Sequence, residues 1–165
     1  LVAIAGRTIA QMALVAAVGG AAARRIRIPY PPPPSQGRGE LMVPIVHHPH
    51  YVAPLPPGHG LAMSKYALVI EELAAVGLAP THRPEPVSRA DIAAVHDEAY
   101  VDAVLGASVS ASIERRIGFP VTPNLVLRSR LAAGGTLLAA RLALHCGYAA
   151  NAAGGSHHAM PDGGA

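Results

Sequence analysis

The sequence predicts an α/β chain, on three observations. A short apolar run, Val43-Pro44-Ile45-Val46, reads as a β-strand. Amphipathic or capped helical segments occupy much of 62–147, and Tyr148-Ala149-Ala150-Asn151-Ala152 reads as a second short, buried strand. At 165 residues the chain is one domain long, and its 51% apolar content gives it material for a core. That core must be aliphatic, because there is no Trp and a single Phe, Phe119. The shortage of stacking faces argues against a carbohydrate or single-strand nucleic-acid platform. One cysteine, Cys146, excludes an internal disulfide and a Cys-based zinc finger.

The elements follow from local signals. Pro44 places the first strand at a sheet edge or strand start. Residues 52–60 are a Pro/Gly loop. Over 62–76, Tyr66, Val69, Ile70, Leu73 and Val76 recur at helical spacing, and Gly77 stops the helix. Residues 79–87 are an extended, proline-punctuated connection. Ser88-Arg89-Ala90-Asp91 is a capping-box variant that opens a short helix with Ile92, Val95 and His96 on one side. Another helix starts at Asp97 or Glu98 and ends near Gly106. Residues 107–121 carry mixed signals, with a loop at 117–120. Thr122 and Pro123 suit the N-cap and first positions of the next helix, read as running to 132, breaking at Gly134-Gly135 and resuming over 136–147. Gly154-Gly155-Ser156-His157-His158 then forms a loop at the carboxyl end of the second strand, where open α/β sheets gather ligand chemistry.

Charge divides the chain. Residues 1–41 hold five Arg against one Glu, a net of +4, whereas 42–165 hold eight basic and nine acidic residues, a net of −1. Counterion release needs a clustered basic face, and beyond residue 41 only Arg115-Arg116 approaches one, so direct nucleic-acid binding is not expected. Residues 1–23 are Ala/Val/Ile-rich, but Arg7 and Gln11 interrupt the run before it reaches the ~18–20 apolar residues of a membrane span. Small residues at 19–23 leave open a signal peptide, and a structured extension is a third possibility. Gly37-Arg38-Gly39-Glu40 fits purine-rich codons of the kind that precede a bacterial start. We therefore read 1–41 as an upstream extension or read-through, disordered, with the domain starting at Met42 in a cytoplasmic protein.

Nine histidines offer chemistry in three clusters. In His47-His48-Pro49-His50, strand alternation lets His48 and His50 share a face, but two imidazoles leave a zinc short of ligands, so local loop bonding is expected. His96-Asp97 reads as a helix junction. His59, His82 and His145 are isolated, and Cys146 reads as packing in an apolar helix end. His157-His158 differ, because a preceding Gly-Gly lets backbone approach a reacting group while adjacent imidazoles face it. No P-loop, serine-hydrolase elbow or H-E-x-x-H motif is present.

Taken together, several segments resemble the amino-terminal half of the zinc-dependent histone deacetylase family of the arginase/deacetylase superfamily, nearest to bacterial and class IV-like members. They are His48-Pro49-His50-Tyr51, Gly58-His59, Met63-Ser64-Lys65-Tyr66 and His82-Arg83-Pro84. Then come Val95-His96-Asp97-Glu98-Ala99-Tyr100-Val101, Arg116-Ile117-Gly118-Phe119-Pro120, Gly134-Gly135-Thr136, and Asn151 with Gly154-Gly155-Ser156-His157-His158-Ala159. The resemblance covers 42–165. It implies the N-terminal part of a three-layer α/β/α parallel-sheet fold, and an enzyme that hydrolyses N-acetyl-lysine or a similar acyl-amine with zinc. His158 would be the general base and then the acid, and His157 its electrostatic partner; an imidazole's reference pKa of ~6.5 suits both roles.

The family's metal ligands, an Asp-x-His pair and a second Asp, and its carbonyl-polarising Tyr lie beyond the His pair. This chain has seven residues after His158, and Asp162 is too close to substitute. The expectation is a piece truncated before the metal ligands, with no catalytic zinc and no turnover of its own, drawn from an active parent. Acetylpolyamines or other small acyl-amines are the alternative substrates. A non-catalytic, His-rich exported binding module is the alternative outside the enzymes.

Overall fold

A computed structural model of the chain describes residues 13–16, 43–154 and 159–164. The elements run β1 (Ala13–Ala16), β2 (Ile45–Val46), a 3-10 turn (Pro49–Tyr51), α1 (Lys65–Ala75), α2 (Arg89–Ala93), α3 (Glu98–Leu105), α4 (Ala111–Ile117), α5 (Pro123–Cys146), β3 (Tyr148–Asn151), β4 (Ala159–Met160) and β5 (Gly163–Gly164). This is a mixed α/β architecture with a small sheet, as the sequence predicts.

The sheet has the order β1-β3-β2. β2 runs parallel to β3, with Ile45 opposite Ala150 and Val46 opposite Asn151. On its other side β2 meets the extended segment at Thr81-His82: Thr81 N and His82 N donate to Ile45 O at 2.9 and 3.1 Å, and His47 N donates to His82 O at 3.0 Å. β1, from the segment expected to be disordered, pairs antiparallel with β3, Ala13 opposite Asn151 through Ala16 opposite Tyr148. β4 and β5 form a separate antiparallel hairpin.

Local chemistry explains the helix ends. Ser88 Oγ accepts from Asp91 N at 3.1 Å and caps α2. Thr122 Oγ1 accepts from Leu125 N at 3.2 Å, with Pro123 in the first turn of α5. α5 ends where Gly147 turns left-handed, at φ +86°, a conformation that costs other residues the Cβ clash glycine avoids. One helix went unread in the sequence: α4, capped by Ser110 and closed by Gly118.

The expected break at Gly134-Gly135 does not occur; α5 runs unbroken for 24 residues. Glycine weakens a helix by only about 1 kcal/mol, and here the two positions let α5 lie directly on its neighbours. A Cβ at Gly134 would collide with the Glu85 carbonyl oxygen, and one at Gly135 with the Tyr51 hydroxyl. α5 thereby reaches both parts of the core. Its N-terminal half contributes Leu125 and Leu131 to a cluster with Tyr51, Met63, Tyr66 and Ala153. Its C-terminal half contributes Leu138, Ala139, Leu142 and Ala143 to a second cluster with Val46 and Ala149. The layering presses the carboxyl end of β3 against the middle of α5.

Candidate functional site

Asn151, the last residue of β3, is completely buried, and an amide there must satisfy both its oxygen and its nitrogen. Oδ1 accepts from the Tyr51 hydroxyl at 2.9 Å and from Ala153 N at 3.2 Å. Nδ2 donates to Ala132 O and Thr136 Oγ1, each at 3.1 Å. These bonds tie the 3-10 turn, α5 and the start of the loop after β3 to one side chain. The Tyr51 hydroxyl ionises well above its usual range, because burial disfavours the phenolate; it acts here as a fixed donor.

Arg128 reinforces the same place. Nε donates to Tyr51 O at 3.0 Å and Nη2 to Ala153 O at 3.4 Å, while the guanidinium lies 4.8 Å from the Tyr66 ring centroid. Beyond Ala153 the chain turns left-handed at Gly154, φ +64°, the freedom expected of the Gly-Gly pair. His157 and His158, the predicted catalytic pair, lie outside the described residues. The chain is described again at Ala159 and is held on α3's approach: His96 Nδ1 bonds Met160 O at 2.8 Å and Pro161 O at 3.2 Å, and Asp97 N donates to Pro161 O at 2.9 Å. A mainly apolar cavity of about 650 Å³ is lined by Ile92, Val101, Ile113 and Leu125 together with His96 and Arg128.

In the first histidine cluster, His48 makes the local loop bond that the sequence predicts. His48 Nδ1 accepts from His50 N at 3.1 Å and caps the 3-10 turn, its ring 5.0 Å from that of His50. His59 accepts from Leu61 N at 3.1 Å through Nδ1 and donates to Gly118 O at 2.9 Å through Nε2. Because a carbonyl only accepts, this geometry requires the Nε2–H tautomer. The His59 ring stacks on Phe119 at 5.3 Å. His82 bonds Thr81 Oγ1 at 2.8 Å. His47 meets the Tyr51 ring edge-on at 5.5 Å, and its buried Nδ1 has no hydrogen-bond partner among the described residues.

Burial holds His47, His48 and His82 below the usual imidazole range, and the Arg83 charge adds to the effect at His47 and His48. The sign for stability follows. The unfolded chain takes up protons at these positions as pH falls through about 6.5, while the folded chain resists, so folding weakens on acidification. The thermal midpoint should be lower at pH 5.5 than at pH 7.5; an unchanged or higher midpoint would contradict the buried, neutral placement.

Among the described residues no group of three or more His, Cys, Asp or Glu side chains could hold a metal ion. The described residues therefore do not fit the zinc that the resemblance implies. The loop's anchors were the residues the sequence reading passed over. Asn151, Tyr51 and Thr136 entered only as parts of predicted elements or resembling segments, and Arg128 was not singled out, although two arginines, Arg128 and Arg130, between Leu125 and Leu131 on a burying helix were a signal.

Comparison with known proteins bears on the same segment. The histone deacetylase domain model matches residues 59–165. An uncharacterized protein of Picosynechococcus sp. (strain ATCC 27264 / PCC 7002 / PR-6) is 40% identical over 121 residues, which are 72% of this chain and 40% of that protein. Histone deacetylase 2 of Arabidopsis thaliana is 32% identical over 81 residues, 46% of this chain and 21% of that protein. The chain thus spans well under half the length of either relative. The domain match takes in His59, His96, α5, Asn151 and the Gly-Gly-Ser-His-His segment as one continuous stretch, and on that match the chain belongs to the histone deacetylase family.

Proposed function

We propose that the whole protein to which this chain belongs hydrolyses N-acetyl-lysine or a closely related acyl-amine. The observation that carries this reading is the histone deacetylase domain match over 59–165, which runs through His157-His158. In this reading the chain supplies the N-terminal part of a three-layer α/β/α domain. His158 takes a proton from the attacking water and returns it to the leaving amine, and His157 stabilises the imidazolium's changing charge. Zinc dependence is part of the reading, with ligands beyond the described residues. The parallel β2–β3 pair, and a Gly-Gly-Ser-His-His sequence that follows shortly after the end of β3, support it.

The test compares two proteins on an acetyl-lysine peptide: the 165-residue chain, and the chain encoded by its reading frame extended in the source DNA. The short chain should show no turnover with added zinc. The extended one should turn over, lose activity to a chelator, and lose about 10²–10⁴-fold in kcat on His158→Ala, the range for removing a general acid–base group. Zinc-dependent turnover by the short chain would overturn the assignment of its inactivity. No turnover by the extended chain on any acyl-amine would overturn the hydrolase reading.

A further inference from the structure

We infer that His96 is a positioning residue that fixes the chain where it leaves the histidine pair. The functional meaning of this rests on the deacetylase reading, but the contact itself does not. His96 stands at the α2–α3 junction, and its Nδ1 lies 2.8 Å from Met160 O and 3.2 Å from Pro161 O. Both partners are carbonyl oxygens, which only accept, so Nδ1 carries the hydrogen and donates it to a forked pair. Met160 is two residues beyond His158.

The neighbouring backbone acts in the same direction. Asp97 N donates to Pro161 O at 2.9 Å, so consecutive residues, one by side chain and one by backbone, grip consecutive carbonyls. Farther along the hairpin, Gly163 packs so tightly on Arg116 of α4 that a Cβ there would collide with the guanidinium. The His96 ring also lies 5.9 Å from that of Tyr100 one turn later, which limits the orientations open to the imidazole. The described chain is therefore anchored on both sides of the stretch of sequence that carries His157 and His158. Asn151 and Arg128 hold Ala153 before it, and His96 with Asp97 holds Met160-Pro161 after it. Two adjacent imidazoles can divide a proton-transfer role only if their backbone is held at both ends, because a shift of about 1 Å at a reacting group costs roughly 10²-fold in rate.

Isosteric chemistry provides the test. An asparagine amide nitrogen can take the place of imidazole Nδ1, whereas that of glutamine takes the place of Nε2. His96→Asn should keep the donor; His96→Gln and His96→Leu should lose it. The experiment uses the 165-residue chain, follows exchange of the Asp97 amide, and records the imidazole resonances of His157 and His158 by NMR. In His96→Gln and His96→Leu, Asp97 exchange should rise about tenfold and both imidazole signals should move. In His96→Asn both should return toward wild type. If His96→Leu fails to fold, the Asn and Gln variants still decide the matter. Equal behaviour of Asn and Gln, or unmoved His157 and His158 signals in folded His96→Leu or His96→Gln, would overturn the inference. None of these readouts needs turnover, so their failure is distinct from failure of the hydrolase reading.

Discussion

Gly135→Ala should destabilise the chain by about 1–2 kcal/mol, although alanine is the better helix former. On an exposed helical face the same change stabilises by up to about 1 kcal/mol. Position 135 reverses the sign because α5 rests on the polar junction at the end of β3. The added Cβ would collide with the Tyr51 hydroxyl and stand 2.8 and 2.9 Å from the amide oxygen and nitrogen of Asn151. Neither side chain can yield cheaply. Both are completely buried, and they are hydrogen-bonded to each other at 2.9 Å. Accommodation would require α5 to back away from β3 or the Tyr51–Asn151 bond to stretch, and overpacking of this kind costs roughly 1–3 kcal/mol. Gly134→Ala should be at least as harmful, since the obstacle there is the backbone carbonyl of Glu85. Gly60→Ala, with nothing within 4 Å of the new Cβ, is the control and should be nearly neutral. Urea midpoints of the three variants check the series; a Gly135→Ala chain as stable as wild type would mean that α5 does not lie on this junction.

The two glycines also show where the sequence could be read and where it could not. Helix ends were legible because capping is chemistry within one turn: Ser88 with Asp91 and Thr122 with Pro123 sit where the sequence places them, and Gly77 follows the end of α1. Gly134-Gly135 was misread because the local cost of glycine is visible in the sequence, whereas the packing it permits depends on Glu85 and Tyr51, which lie far away in the chain. α4 was missed for a different reason. Its seven residues, between Ser110 and Gly118, are too few to show a helical period. The pairing of β1 with β3 joins segments from opposite ends of the chain, and nothing local to Ala13–Ala16 specifies it. The histidine pair was legible as a motif. Its supports were not, because His96 finds its acceptors only when the chain returns at Met160.

Removing the amide at position 151 should have the largest effect of any polar substitution, with Asn151→Leu costing about 3–5 kcal/mol. The side chain serves the Tyr51 hydroxyl, Ala153 N, Ala132 O and Thr136 Oγ1 at once. Leucine fills a similar volume but strands the Tyr51 hydroxyl and Ala153 N, both on completely buried residues, and each buried polar group left without a partner costs roughly 1–3 kcal/mol. The sum is moderated because the Thr136 hydroxyl retains its bond to Ala132 O at 3.1 Å. Asn151→Asp separates the two halves of the amide. It keeps the acceptor that Tyr51 and Ala153 use, but it loses the donor toward α5 and buries a carboxylate, so it too should be strongly destabilising. Tyr51→Phe leaves the amide in place and removes one partner, so it should cost less, about 1–2 kcal/mol. A double-mutant cycle between Tyr51→Phe and Asn151→Leu, measured by urea unfolding, isolates their shared bond. The combined loss should fall short of the two single losses by about 1 kcal/mol. Strict additivity would show that Asn151 holds the loop through Ala153 and α5 alone, leaving the 3-10 turn independent of the end of β3.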